Sequence, residues 1–226
     1  MNLDLARRAT AEAIGTAILL AAVVGSGVMG ERLAGGNVAI VLLANSVATG
    51  AALVALILTF SAISGAHFNP LVTLSEAWER GLSWHDVPSY LVAQLIGAFA
   101  GVALAHRMFG LPLLFASQRA RSGGAQIFSE LVATFGLVCV VRGAGQLRAT
   151  ATPFAVAAYI TAAYWFTAST SFANPAVTLA RIASDTFAGI RPADAPGFIA
   201  AQFLGAIIAT ALFRWLIPKS SKNRAA

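Results

Sequence analysis

The apolar positions of this chain fall into six long runs, at about residues 10–30, 38–60, 88–109, 126–145, 151–170 and 196–217. A membrane-crossing helix needs about 20 apolar residues, so each run predicts one span. The six take up nearly the whole chain and leave no room for a separate soluble domain, so residues 1–226 are expected to form one transmembrane domain. Two further pieces, 69–79 and 174–184, are too short to span. Each begins with an Asn-Pro pair, Asn69-Pro70 and Asn174-Pro175. Asparagine is a good N-cap and proline suits the first helical turn, so each piece predicts a half-helix that starts at its asparagine. The residues before them, Ser64-Gly65-Ala66-His67-Phe68 and Ser169-Thr170-Ser171-Phe172-Ala173, are then irregular backbone at membrane depth. Such backbone is tolerated only where it is buried in protein or lines a watery cavity.

Composition strengthens the membrane reading. Hydrophobic residues make up 58% of the chain and charged residues 11%, with a mean hydropathy of +0.76. A soluble domain carries roughly 25% charged residues. Arg7 and Arg8 precede the first run, but that run is long and lacks a clear small-residue cleavage site, so it reads as the first span rather than a cleaved leader. The net charge of +6 fits the positive-inside bias of a membrane protein better than a nucleic-acid partner. With both termini cytoplasmic, Arg7, Arg8, Arg80, Arg142, Arg148, Arg214, Lys219, Lys222 and Arg224 fall on one side. Arg32, Arg107, Arg119, Arg121, Arg181 and Arg191 fall on the other. Cys139 is the single cysteine, which excludes an intrachain disulfide. No paired acid and base, metal-ligand cluster or phosphate loop is present, so neither an enzyme nor a cofactor is expected.

The chain repeats itself. Glu12-Ala13-Ile14-Gly15-Thr16 corresponds to Glu130-Leu131-Val132-Ala133-Thr134, the first Asn-Pro segment to the second, and Ala93-Gln94-Leu95-Ile96-Gly97-Ala98 to Ala201-Gln202-Phe203-Leu204-Gly205-Ala206. Each half, about 10–109 and 126–217, therefore holds three spans and one half-helix. Three is odd, so the second half enters the membrane from the opposite face and the repeats are inverted. Inverted repeats place a functional site near the midplane, where broken helices meet. There the half-helices point their positive N-terminal ends at one another, which opposes cations and protons. Small-residue stripes, Ala93, Gly97, Gly101 and Ala105 in one half and Ala201, Gly205 and Ala209 in the other, predict close helix packing.

The segment Ser64-Gly65-Ala66-His67-Phe68-Asn69-Pro70-Leu71-Val72-Thr73 resembles the first signature of the aquaporin and aquaglyceroporin family, and Asn174-Pro175-Ala176 its second. Glu12 and Glu130 match as well, and the resemblance runs from about residue 10 to 217. It implies an all-α bundle of six transmembrane helices and two re-entrant half-helices, forming homotetramers with a pore in each subunit. Two positions depart from the family pattern. Leu71 replaces an alanine, and Val177 stands where the second motif continues with arginine.

The resemblance also implies roles. Asn69 and Asn174 meet at the midplane with their carbonyl oxygens engaged locally and their NH2 groups facing the pore. Carbonyls of Gly65, Ala66, His67 and Phe68, and of Thr170, Ser171 and Phe172, form an acceptor ladder. Counted by distance from the asparagines, the narrowest point falls at Thr49, Ala162, Ser171 and Val177, a small and neutral set that predicts a wide pore. Glu12 and Glu130 read as buried acceptors for backbone N–H groups of the re-entrant loops, against a proton-relay alternative. His67 reads as a structural group rather than a sensor, while His85 and His106, near helix ends, carry little information. Arg181 lies on the face of Val177 and reaches the outer vestibule or, as the preferred reading, pairs with Asp185. The implied function is a passive channel in the cell's plasma membrane for small uncharged solutes: glycerol, polyols, undissociated metalloid acids such as arsenite or methylated arsenicals, and water. The alternative is a mainly water-selective channel. An ion-coupled transporter would need more charge along the path than Glu12 and Glu130.

Overall fold

A computed structural model describes residues 3–217; Lys219, Lys222 and Arg224 of the charge tally lie outside it. The described residues are all-helical. Asp4 starts α1 (Leu5–Leu33) by accepting from the Arg7 amide at 2.8 Å. Gly35 and Gly36, both at positive φ, turn the chain, and Asn37 caps α2 (Val38–Ser64). Gly65, at φ 93°, ends α2. The remaining helices are α3 (Pro70–Trp78), α4 (Val87–Met108), α5 (Gly124–Leu147), α6 (Thr152–Phe166), α7 (Pro175–Arg181) and α8 (Ala195–Leu216). Short 3₁₀ turns precede α6 and α8.

Five of these helices, α1, α2, α4, α5 and α8, are long and apolar enough to cross a membrane. The remaining expected span, at 151–170, is shorter than its apolar run. Its 15 residues rise roughly 22 Å, because the chain turns extended at Thr167 (φ −109°, ψ 138°) and runs as irregular backbone to Asn174. The half-helices α3 and α7 start one residue after their asparagines, as expected.

The packing repeats between halves. Helix α1 lies against α4 and α2, and α5 against α8 and α6, while α2 and α6 join the two groups. The small-residue stripes are the contact lines. A Cβ on Gly97 or Gly101 would strike the carbonyl oxygens of Ala13 and Ala17 on α1. One on Gly205 would strike that of Leu131 on α5. Backbones at such distances gain dispersion contacts that lipid cannot match. The half-helices sit between the groups, α3 against α4 and α8 and α7 against α4 and α8. Leu71, the departure in the first motif, fills an apolar cluster with Val138, Ala206 and Ala209.

Candidate functional site

Asn69 and Asn174 bring the two half-helices together. The Asn69 side-chain oxygen accepts from the Leu71 amide at 2.9 Å, and that of Asn174 from Ala176 at 3.0 Å and Val177 at 3.3 Å. Each amide nitrogen crosses to the other loop. Asn69 Nδ2 donates to the Ala173 carbonyl and Asn174 Nδ2 to the Phe68 carbonyl, both at 2.8 Å. An NH2 group has two hydrogens, so each asparagine has one more to donate.

The loops before them are strained. Ala66, Phe68, Thr170, Ser171 and Ala173 all have φ between 48° and 61°. Left-handed backbone costs a non-glycine residue about 1–2 kcal/mol. Two buried carboxylates offset that cost. Glu12 accepts from the His67 amide at 2.9 Å, the Phe68 amide at 2.7 Å, Ser64 Oγ at 2.6 Å and Gln94 Nε2 at 2.8 Å. Glu130 accepts from the Phe172 amide at 2.8 Å, the Ala173 amide at 2.9 Å and Gln202 Nε2 at 2.6 Å. A hydrogen bond to a charged group contributes about 1.5–3 kcal/mol. Neither carboxylate lines the cavity described below, and every contact donates to it, as a structural acceptor requires.

A further layer was not assigned from the sequence. Gln94 and Gln202 each pass their amide on to a threonine, Thr73 Oγ1 and Thr178 Oγ1, both at 2.9 Å. Those hydroxyls donate to the Asn69 and Asn174 carbonyls at 3.1 and 2.9 Å. The signal was present in the repeat: Gln94 and Gln202 hold matching places in it, and Thr73 and Thr178 each stand four residues after the asparagine of their Asn-Pro segment. His67 Nδ1 lies 3.1 Å from Thr73 Oγ1, and its ring packs at 5.3 Å against Tyr90.

A cavity of about 750 Å³ runs through the bundle past both asparagines. One wall is apolar: Leu19, Val23, Leu53, Ile57, Val156 and Ile160. The other carries the re-entrant loops, with Gly65, Ala66, His67, Phe68, Ser171 and Phe172 on the lining. Thr170, expected in the acceptor ladder, is not; its hydroxyl accepts from Arg121 at 3.3 Å. At the end beside Arg214 and Ile217, termed the inner end by the expected orientation, Arg142 bridges Glu76 at 2.8 Å and Glu79 at 3.3 Å.

The outer end corrects two expectations. Thr49, Ser171 and Val177 line it, but Ala162 lies exposed on the far face of α6. The α6 side chain that lines it is Tyr164, whose hydroxyl sits 3.2 Å from Thr49 Oγ1. The connection from α6 to Asn174 spans only 167–173. A two-residue shift along a helix is about 200° of rotation, which moves the lining position from 162 to 164. This end therefore carries an aromatic ring. It also carries a charge: Arg181 lines the cavity and is 2% exposed. The expected pair with Asp185 does not form, because α7 ends at Arg181 and no helical i,i+4 geometry exists beyond it. Asp185 instead accepts from the Gln118 amide at 2.8 Å. The Ser171 hydroxyl is buried with no protein partner.

Arg121, in the loop between α4 and α5, reads in sequence only as a charge on the outer side. It is buried, and donates to the carbonyls of Ser169 at 3.1 Å, Phe187 at 3.1 Å and Gly189 at 2.7 Å. Burial, then the charges of Arg181 and Arg119, lowers its guanidinium to about 9, so it stays protonated at neutral pH.

Comparison with known proteins agrees with this geometry. The sequence model described as Major intrinsic protein matches residues 1–152 and 142–226. The aquaglyceroporin AqpS of Rhizobium meliloti (strain 1021) is 54% identical over 214 residues, 95% of this chain and 91% of that protein. Aquaporin NIP2-3 of Zea mays is 31% identical, over 94% of this chain and 69% of its own. Among solved structures, the aquaglyceroporin from Plasmodium falciparum superposes with a TM-score of 0.72 at 22% identity, covering 93% of this chain and 96% of that one. A fold built on two crossed asparagine caps, a match along the full length and a relative identical at more than half its positions lead to one conclusion: the chain belongs to the major intrinsic protein family, a family of membrane channels rather than enzymes.

Proposed function

We propose that the chain is a passive channel for small uncharged solutes, with glycerol and small polyols as its main class and water and undissociated metalloid acids, including arsenite and methylated arsenicals, as further cargo. The observation that carries this reading is the two-sided lining of the outer end. The Tyr164 ring and Val177 offer an apolar surface, while Thr49 and the unpartnered Ser171 hydroxyl offer hydrogen bonds. A polyol has the same division, carbon on one side and hydroxyls on the other. The name of AqpS, an aquaglyceroporin, points the same way. We assign the constriction to Thr49, Tyr164, Ser171 and Val177, with the loop carbonyls and the free hydrogens of Asn69 and Asn174 passing solute along the midplane.

Tyr164 also favours the second reading, a mainly water-selective pore, because it fills space that Ala162 would have left open. Stopped-flow light scattering on reconstituted vesicles with water, glycerol and a polyol series separates the two. Fast glycerol shrinkage and recovery supports the first; fast water flux with glycerol at the bare-lipid rate supports the second.

The working assembly is a homotetramer in the plasma membrane with both termini cytoplasmic, and one domain of two inverted repeats per subunit. The outward apolar side chains of α1 and α2 (Ile18, Val38, Ile40, Leu43, Val47) and of α5 and α6 (Phe128, Phe154, Phe166) support the membrane setting. Such faces suit lipid or a second copy.

A further inference from the structure

The two ends of the cavity differ in charge. At the inner end, Glu76 and Glu79 pair with Arg142, and Arg214 approaches Glu79 at 3.5 Å, so opposite charges meet. At the outer end, Arg181 is the one charged side chain on the lining among the described residues. Neither Arg181 nor Arg121 forms an ion pair among those residues. The acidic side chains of this end are engaged elsewhere. Asp185 holds the Gln118 amide, Glu31 the Phe187 amide at 3.0 Å, and Asp194 the Arg191 side chain at 2.9 Å and the Arg121 amide at 2.8 Å. Glu130, whose charge reaches both arginines, is spent on the Phe172 and Ala173 amides and on Gln202. A buried positive charge with no ion-pair partner in direct contact acts over a longer range than one in water.

The Arg181 side chain is held in place. Its Nε donates to the Ala188 carbonyl, and its guanidinium carbon lies 3.4 Å from the centre of the Phe172 ring. The Arg121 guanidinium packs on the same ring at 4.9 Å. Arg121 also binds the Phe187 and Gly189 carbonyls, on either side of the one that receives Arg181, and the Ser169 carbonyl at the base of the re-entrant loop. The 187–189 segment packs closely on its neighbours: a Cβ on Gly189 would strike the Ser184 carbonyl oxygen.

We propose that Arg181 is the residue that excludes cations from this pore, and that Arg121 is the residue that positions it. The proposal rests on the channel reading above. Position 177 carries no charge, and Arg181 follows it by four residues on the same face of α7, about one helical turn. The exclusion charge therefore stands one turn outward, leaving the level of Val177 open to uncharged solute. Three ligated carbonyls and the Phe172 ring make Arg121 the brace that keeps the Arg181 fork on the lining.

The test is the ratio of potassium leak to water flux in matched proteoliposomes, which normalises for the amount of folded channel. Arg181→Gln should raise the ratio at least about tenfold, and Arg181→Lys, which keeps the charge, should stay within about threefold of wild type. An unchanged ratio in Arg181→Gln overturns the role of Arg181, as does a Lys variant that leaks like Gln. Arg121→Gln should also raise the ratio, and the double variant should leak no more than Arg181→Gln alone, because Arg121 acts through Arg181. Additive leaks would overturn the positioning role. A measurement on the unaltered protein guards against variants that fail to assemble: its residual chloride leak should exceed its potassium leak, and equal leaks overturn the proposal. Wild-type vesicles with neither water nor glycerol flux above bare lipid would instead remove the channel reading on which it rests.

Discussion

At the scale of single residues, the two carboxylates bear the clearest consequences. Glu12 holds the His67 and Phe68 amides and Glu130 the Phe172 and Ala173 amides, in loops whose backbone is held left-handed. Glu12→Gln or Glu130→Gln retains an acceptor oxygen and should be partly tolerated. Glu12→Ala or Glu130→Ala strands two buried N–H groups, at about 1–3 kcal/mol each. The Ala variants should show lower yield and a lower unfolding temperature in detergent than the Gln variants. A Gln variant that folds normally yet loses transport in a pH-dependent way would restore the proton-relay alternative. Val177→Arg adds a long charged side chain where the outer end now has a small apolar one. It should lower the flux of solutes bulkier than glycerol more than that of water, read as the ratio of the two rates in stopped flow. An unchanged ratio removes Val177 from the constriction.

At the scale of elements, the helices and half-helices were legible because lipid leaves no other solution. A run of about 20 apolar residues at membrane depth must be helical to satisfy its own backbone, and an Asn-Pro pair that recurs at matching places in two halves favours a helix start at each. The glutamate roles were legible because the repeat presented them twice. What could not be read was geometry that depends on where a helix stops. The apolar run continues to residue 170, but α6 ends at Phe166, so counting back from Asn174 selected Ala162 in place of Tyr164. Arg181 and Asp185 have helical spacing in sequence, but α7 ends between them. Arg121 escaped because a loop residue's partners are set by tertiary contact, here with segments 48 to 68 positions away. The small-residue stripe, by contrast, gives a direct prediction at this scale. Gly101→Leu drives a side chain into the Ala17 carbonyl and the Leu20 side chain. Overpacking of that kind costs about 1–3 kcal/mol or more. It should lower the detergent unfolding temperature well beyond the effect of Gly145→Ala, whose added Cβ meets nothing within 4 Å.

At the scale of the whole molecule, two halves of one plan close around a cavity that passes both asparagine caps, apolar on one wall and lined by re-entrant backbone on the other. Among the described residues, Glu12 and Glu130 are spent on loop amides and lie off the cavity, while the carboxylates that do line it, Glu76 and Glu79, are paired with Arg142. Assembly is expected to be fourfold, and native mass spectrometry of the detergent-extracted protein should give a mass four times that of the 23.3 kDa chain. Passive passage of an uncharged solute through this pore can be read from glycerol influx into proteoliposomes measured over a range of temperature. The rate should lie well above that of protein-free vesicles, with an activation energy clearly below theirs and no change when a proton or sodium gradient is imposed. A rate and activation energy equal to those of bare lipid, or a rate that follows the ion gradient, would contradict passive passage.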